Sequence, residues 1–213
     1  MSEQTLAHAE LMDATYRYQR FIYDATRRYF LLGRDHLISN LQPPKGGRVL
    51  EVACGTGRNL ALLARRHPDC RLYGLDISEA MLRTARVKLS AGAVLARADA
   101  CGFEAGEIFG VAEFDRIILS YSLSMIPDWK AALETSVRHL APGGELHVVD
   151  FGDQAELPRQ FRSGLRAWLA KFHVEPRAGL AGALAEIAAR SGCTVTSQRR
   201  FRDYAQYSVL TRG

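Results

Sequence analysis

Residues 49–57, Val-Leu-Glu-Val-Ala-Cys-Gly-Thr-Gly, constrain this chain more than any other stretch. A short apolar run opens onto two glycines, and the residues after Arg58 take a helical apolar spacing. Gly55 and Gly57 let the backbone turn tightly and approach a ligand. The same cadence recurs downstream. Arg71–Asp76 reads as a second strand, followed by Ser78 as a helix cap and Glu79 in the first turn. Ala93–Ala98 and Phe114–Ser120 read as the third and fourth strands, a helix spans Lys130–Leu140, and Pro142-Gly-Gly144 reads as a turn before a fifth strand at Glu145–Phe151. Helices are expected near 155–172 and 178–191, then a closing hairpin at 194–200 and 204–211.

Strands alternating with helices predict a Rossmann-like α/β fold, a mostly parallel sheet covered on both faces. Right-handed crossovers bring the carboxyl ends of the parallel strands to one edge, where a ligand binds at the point of strand-order reversal. One domain is expected over 1–213, with residues 1–42 as an N-terminal helical lid and 45–213 as the core.

An acid stands at each of the first three strand ends. The loop is not a dinucleotide fingerprint, which would need glycine-like residues at Ala53 and Leu60. Glu51 is ill suited to a pyrophosphate and well suited to a cationic ligand. Asp76 lies about 20 residues past the glycines, the spacing of an acid that accepts ribose hydroxyls. Asp99, before Ala100, is placed to accept from an adenine amino group.

Together 49–57, Leu75-Asp-Ile-Ser78, Arg97-Ala-Asp-Ala100 and Phe114-Asp-Arg-Ile-Ile-Leu-Ser120 resemble the successive motifs of class I S-adenosylmethionine (SAM)-dependent methyltransferases. The resemblance covers about residues 45–150 and implies seven strands, the last antiparallel. It implies SAM as cofactor and S-adenosylhomocysteine (SAH) as product. By family role, Glu51 serves the methionine end through its neighbours or its carboxylate, Ala53 replaces the usual glycine, and Gly55, Thr56 and Gly57 complete the cofactor-binding turn. Asp76 holds the ribose, Ile77 and Met81 pack on adenine, and Asp99 and Ala100 flank its edge. Ser120 and Tyr121 lie beneath the transferring methyl.

Composition narrows the rest. No apolar run reaches the roughly 18 residues of a membrane span, and residues 1–10 lack the pattern of a secretory signal. Cys54, Cys70, Cys101 and Cys193 form no CxxC pair, so neither a metal site nor a disulfide is expected. The net charge of +5 is carried mainly by arginine, with four lysines. No nucleic-acid module is visible, and no Asn-Pro-Pro-Tyr follows the fourth strand, which argues against base methylation. On a helical wheel over 11–34, Arg17, Arg20, Arg27, Arg28 and Arg34 share one side and most apolar residues the other. Residues 157–172 repeat the pattern with Arg159, Arg162 and Arg166. Such faces are either solvated lids or contacts to an anionic membrane surface.

Residues 16–24, 28–35, Val149-Asp-Phe-Gly-Asp153 and Phe172-His-Val-Glu-Pro-Arg177 resemble the bacterial N-methyltransferases of betaine-lipid synthesis, which trimethylate diacylglyceryl-homoserine. The related phosphatidylethanolamine N-methyltransferases are the alternative. Another small-molecule methyltransferase and a non-catalytic SAM-binding domain also remain open. The lipid reading implies a cytoplasmic protein held peripherally at the inner face of the cell membrane. Tyr16, Tyr23 and Tyr121 are the candidate walls for an amine that gains methyl groups, because aromatic faces hold cations. Asp150, at the end of strand five, is placed to face that amine, whereas His147 reads as structural. Arg28, His173 and Arg177 are the candidate headgroup contacts.

Overall fold

The computed structural model describes residues 31–170 and 174–213. Seven strands form one sheet: β1 (Arg48–Val52), β2 (Arg71–Asp76), β3 (Val94–Arg97), β4 (Phe114–Ser120), β5 (Leu140–Phe151), β6 (Cys193–Arg200) and β7 (Ala205–Arg212). Their order is β3-β2-β1-β4-β5-β7-β6. The first five pair in parallel, and β7 runs antiparallel to β5 and β6. Strand order therefore reverses between β1 and β4.

Alternation along each strand feeds two cores. Leu50, Val52, Leu75, Ile117, Leu119, Leu146 and Val148 face one side. They pack with α5 (Trp129–Arg138) and α7 (Leu180–Ser191) through Leu133, Val137, Leu184 and Ile187. Val49, Leu72, Ile118 and Val149 face the other side. There they meet α1 (Arg34–Asn40), α2 (Arg58–Arg66), α3 (Glu79–Leu89) and α6 (Arg159–Ala170) through Leu37, Leu60, Leu63, Leu82, Leu165 and Leu169. Ser78 caps α3, its Oγ accepting from the Met81 N–H at 3.3 Å. Burying all these side chains at about 1.5–3 kcal/mol each is the main force holding helices to sheet.

Four expectations change. A short helix, α4 (Ala105–Phe109), follows β3, with Ala105 buried in the core and too few turns to show periodicity in sequence. Residues 142–144 do not end an element. Phe114 pairs with Leu140 and Arg116 with Glu145, so the Pro-Gly-Gly segment is a bulge within a longer β5. Within the N-terminal helical lid expected over 1–42, the described helix begins only at Arg34, after Gly33, whose φ is 94°. Finally, α6 begins at Arg159 and turns Leu165 and Leu169 into the core, with Leu157 and Trp168 packed beside them. That apolar side is thus committed to the fold, while Arg159 and Arg166 remain exposed. Residues Arg17, Arg20 and Arg27 lie outside the described residues.

Candidate functional site

A pocket opens where the strand order reverses, at the carboxyl ends of β1, β2 and β4. The turn after β1 is built for it. Ala53 has φ 55° and Gly55 56°, and the Cys54 N–H donates to the Leu75 carbonyl at 2.9 Å. Ala53 occupies a conformation that glycine adopts most cheaply, and its small side chain limits the cost. Gly57 starts α2 at φ 72°, and a Cβ there would lie 2.9 Å from Leu89 Cδ1 and 3.1 Å from Ala85 Cβ. Its missing side chain is what lets α2 approach α3.

The acids differ in their surroundings. Asp76 is buried at the end of β2, with Oδ2 accepting from the Gly55 N–H at 2.8 Å and Oδ1 from the Ser78 N–H at 2.9 Å. It thereby ties the glycine turn to the start of α3 while lining the pocket. Glu51 is 3% exposed; Asn59 Nδ2 donates to its Oε1 at 2.6 Å. Burial pushes the Glu51 carboxyl up to about 7, against the opposing pulls of the Asn59 hydrogen bond and the Arg34 charge. Glu51 Oε2 and Asn59 Oδ1 are buried acceptors with no hydrogen-bond partner among the described residues. Leaving each unmade costs about 1–3 kcal/mol, more for a charged group. Both residues line the pocket, so a ligand ammonium would answer both.

The far wall is Ser120, Tyr121 and Ser122, followed by Met125 and Ile126. Ser120 Oγ and Ser122 Oγ are buried without a partner among the described residues. Tyr121 donates its hydroxyl to the Leu32 carbonyl and stacks edge-on against Phe151 at 4.7 Å. Burial drives its pKa well above the ordinary phenol value, and the Asp150 charge adds to the rise, so it stays neutral.

Of the residues expected from sequence, Glu51, Ala53, Gly55, Thr56, Asp76, Ile77, Met81, Ser120 and Tyr121 line this pocket. Gly57 acts behind it. Asp99 and Ala100 do not line it; Asp99 Oδ1 accepts from the Cys101 N–H at 2.9 Å. Asp150 departs from expectation, being wholly buried, with Oδ1 accepting from the Phe151 N–H at 2.7 Å and Oδ2 from the Ser124 N–H at 3.2 Å. It fixes the loop after β4 rather than facing an acceptor, and burial raises it to about 6. Arg177 departs likewise. Its guanidinium donates to the Leu123 carbonyl at 3.2 Å and the Ile126 carbonyl at 3.1 Å and pairs with Glu175 at 3.1 Å. It clamps that same loop. His147 is structural, between Tyr207 and Glu145, at 2.8 and 3.0 Å. Tyr16, Tyr23, Arg28 and His173 lie outside the described residues.

Sequence reasoning missed Arg34 and Asn59. The helical wheel places Arg34 on the arginine face, yet it is 6% exposed and lines the pocket, because α1 starts anew after Gly33. Asn59 was legible only as one polar residue opening an otherwise apolar helix face. Nothing local showed that it pairs with a glutamate eight residues earlier.

Residues 49–144 match the family profile of the Methyltransferase domain. Residues 49–144 thus carry a methyltransferase domain, on the Rossmann-like fold that SAM-dependent methyltransferases share. The domain is 30% identical over 145 residues to trans-aconitate 2-methyltransferase of Variovorax paradoxus (strain S110), covering 66% of this chain and 50% of that protein. It is 35% identical over 129 residues to ribosomal RNA small subunit methyltransferase C of Cronobacter sakazakii (strain ATCC BAA-894), covering 55% and 35%. The chain thus spans half or less of the length of these relatives. Its fold superposes with a TM-score of 0.70 on Haemonchus contortus phosphoethanolamine N-methyltransferase 2 in complex with SAM, at 16% identity, covering 96% of this chain and 59% of that one. The methyltransferase domain accounts for the pocket chemistry. Glu51 and Asn59 would hold the ammonium of SAM, Asp76 its ribose, and Ile77 and Met81 its adenine. The bound cofactor supplies an electrophilic methyl on sulfonium.

Proposed function

We propose that this protein transfers methyl groups from SAM to the amine of a membrane-lipid headgroup, with diacylglyceryl-homoserine as acceptor and its trimethylated betaine as product. The observation that carries the amine is the wall at Ser120–Tyr121–Ser122. Two buried hydroxyls without partners flank a neutral aromatic ring at the end of β4. The hydroxyls can accept from an amine N–H, and the ring face tolerates the single positive charge that each methyl transfer places on nitrogen. Transfer itself is a displacement. The amine lone pair forms a bond to the methyl carbon, the methyl–sulfur bond breaks toward sulfur, and the amine must first lose a proton. Alignment supplies most of the rate.

The lipid assignment is supported by residues 149–153 and 172–177, outside the shared cofactor motifs. Phosphatidylethanolamine is the second reading, favoured by the likeness of fold to a phosphoethanolamine N-methyltransferase. Purified protein given SAM and each lipid separately in detergent micelles, with products counted by mass spectrometry, tests both. Three methyls on diacylglyceryl-homoserine is the expected result. Methylation of phosphatidylethanolamine alone would select the second reading. Methylation of neither, with SAH still bound, would refute a lipid acceptor.

A further inference from the structure

The β6–β7 hairpin ends on the same edge of the sheet as the pocket. Because β7 opposes β5, Ala205 pairs with Phe151 at the carboxyl end of β5, and Arg200 in turn pairs with Ala205. The tip between them begins at Phe201, preceded by Arg199-Arg200 and followed by Arg202. Phe201 is 48% exposed, Arg199 and Arg202 are exposed, and the Arg200 guanidinium lies 5.9 Å from the Phe201 ring centre.

This tip is held in shape at a cost. Phe201, Arg202 and Asp203 have φ of 55°, 55° and 60°, three non-glycine residues in the left-handed region. Such backbone persists only where its surroundings over-determine it. Here the Tyr204 N–H donates to the Phe201 carbonyl at 3.2 Å, Gly152 N–H to Tyr204 at 2.9 Å, and Gln154 N–H to Asp203 at 2.8 Å. A Cβ on Gly152 would lie 2.3 Å from the Asp203 carbonyl, so only glycine permits this contact.

The tip is also joined to the pocket. Tyr204 stacks on Phe151 at 5.9 Å, and Phe151 on the pocket residue Tyr121 at 4.7 Å. The Tyr121 hydroxyl meets Leu32, itself 37% exposed, and a Cβ on the next residue, Gly33, would lie 3.9 Å from the Phe201 ring. Beyond the 152–154 segment, Arg166 of α6 donates to the Asp153 carbonyl at 3.0 Å. The acids near the tip are Asp203, whose Oδ2 lies 3.7 Å from Arg199 Nη1, and Asp153 and Glu156 on the stretch after β5.

We propose that the hairpin tip docks the protein on an anionic bilayer. Phe201 enters the headgroup boundary, Arg200 and Arg202 meet the lipid phosphates, and the pocket mouth is held against the surface that carries its substrate. This rests on the lipid-headgroup reading. A convex tip with exposed Phe201 and Leu32 among arginines suits a bilayer better than a nucleic acid, whose backbone offers nothing apolar to cover them.

The full chain should cosediment with vesicles of phosphatidylcholine mixed with phosphatidylglycerol far more than with phosphatidylcholine alone. Arg200→Gln with Arg202→Gln should weaken partitioning roughly 25-fold, at about fivefold per arginine. Phe201→Ser should weaken it without changing its salt dependence. SAH affinity, measured on the same preparations, should hold and so report folding. Variants that sediment like the wild type would overturn the tip as the contact while leaving the lipid reading intact. Wild type that ignores both vesicles, yet binds a ribosomal RNA fragment that the arginine variant loses, would overturn the proposal in favour of nucleic acid. The acceptor itself is decided separately by methylation in micelles, which needs no bilayer.

Discussion

Glu51 should make SAH binding depend on pH in a way that one substitution abolishes. Its carboxyl sits near 7 because it is buried, and one of its oxygens lacks a partner. A ligand ammonium favours the ionised form, so binding must drive the proton off. At pH 5.5 about 3% of Glu51 is ionised and at pH 7.0 about half, so SAH affinity should rise roughly fifteenfold, or ~1.6 kcal/mol. Peptide α-amino groups titrate near 8, so the ligand's own ammonium stays charged across this window. SAH is the right probe because it keeps the ammonium and lacks the sulfonium. Titration calorimetry in buffers of different ionisation enthalpy should also show release of about half a proton at pH 7.0. Glu51→Gln should bind more weakly at pH 7.0 and show neither effect. Asn59→Ala removes the donor that favours the carboxylate, so its profile should move to higher pH. Pairing of Glu51 with the ammonium is refuted if wild-type affinity is flat over this range, or if Glu51→Gln retains the slope.

Three other outcomes are expected. Asp76→Asn should cost SAH affinity about 1.5–3 kcal/mol by calorimetry, because a neutral amide replaces a charged acceptor of hydroxyl hydrogen bonds; unchanged affinity would remove Asp76 from the ribose site. Arg177→Ala should lower urea stability by about 3 kcal/mol, since two carbonyls lose a charged donor, and Arg177→Lys should recover only part, one ammonium being unable to reproduce the fork. In the ligand-free protein, Glu51 and Asp150 both have raised folded values, about 7 and about 6, so the folded state holds protons that the unfolded chain releases. Each group is neutral in both states below its unfolded value and progressively costs stability as pH rises through its folded value, on the order of 3 kcal/mol each. Denaturant melts should therefore show falling stability from pH 5 to 8, and Glu51→Gln should flatten part of that fall.

Much of the site was legible because it is local. Glu51, Ala53, Gly55, Asp76 and Ser120 lie at strand ends, and strand ends follow from runs of apolar residues closed by turns. The mostly parallel sheet and the edge on which ligand binds followed from the βα alternation, the antiparallel last strand followed from the family resemblance, and the strand order came only from the structure. What failed was everything that depends on two distant segments meeting. Asp150 looked free to act at the end of β5, but the loop after β4 folds onto its carboxylate through Ser124. Arg177 looked like a surface cation, but the Leu123 and Ile126 carbonyls occupy it. The apolar stripe of α6 looked available to a membrane, but Leu165 and Leu169 fill the core.

The sequence by itself determined the fold class, the acids at the ends of β1 and β2, and the small residues of the turn between them. These are set by periodicity and backbone sterics, which neighbouring residues decide alone. Only the tertiary structure decided which polar groups are satisfied and which remain open. Asn59 takes one oxygen of Glu51 and leaves the other bare, and Gly33 turns Arg34 inward. The hairpin brings Phe201 and its arginines to the pocket's edge through the pairing of Ala205 with Phe151, 54 residues apart in the chain. Hydrogen-bond satisfaction and burial depend on the partners that packing supplies, and a single strand or helix does not contain them.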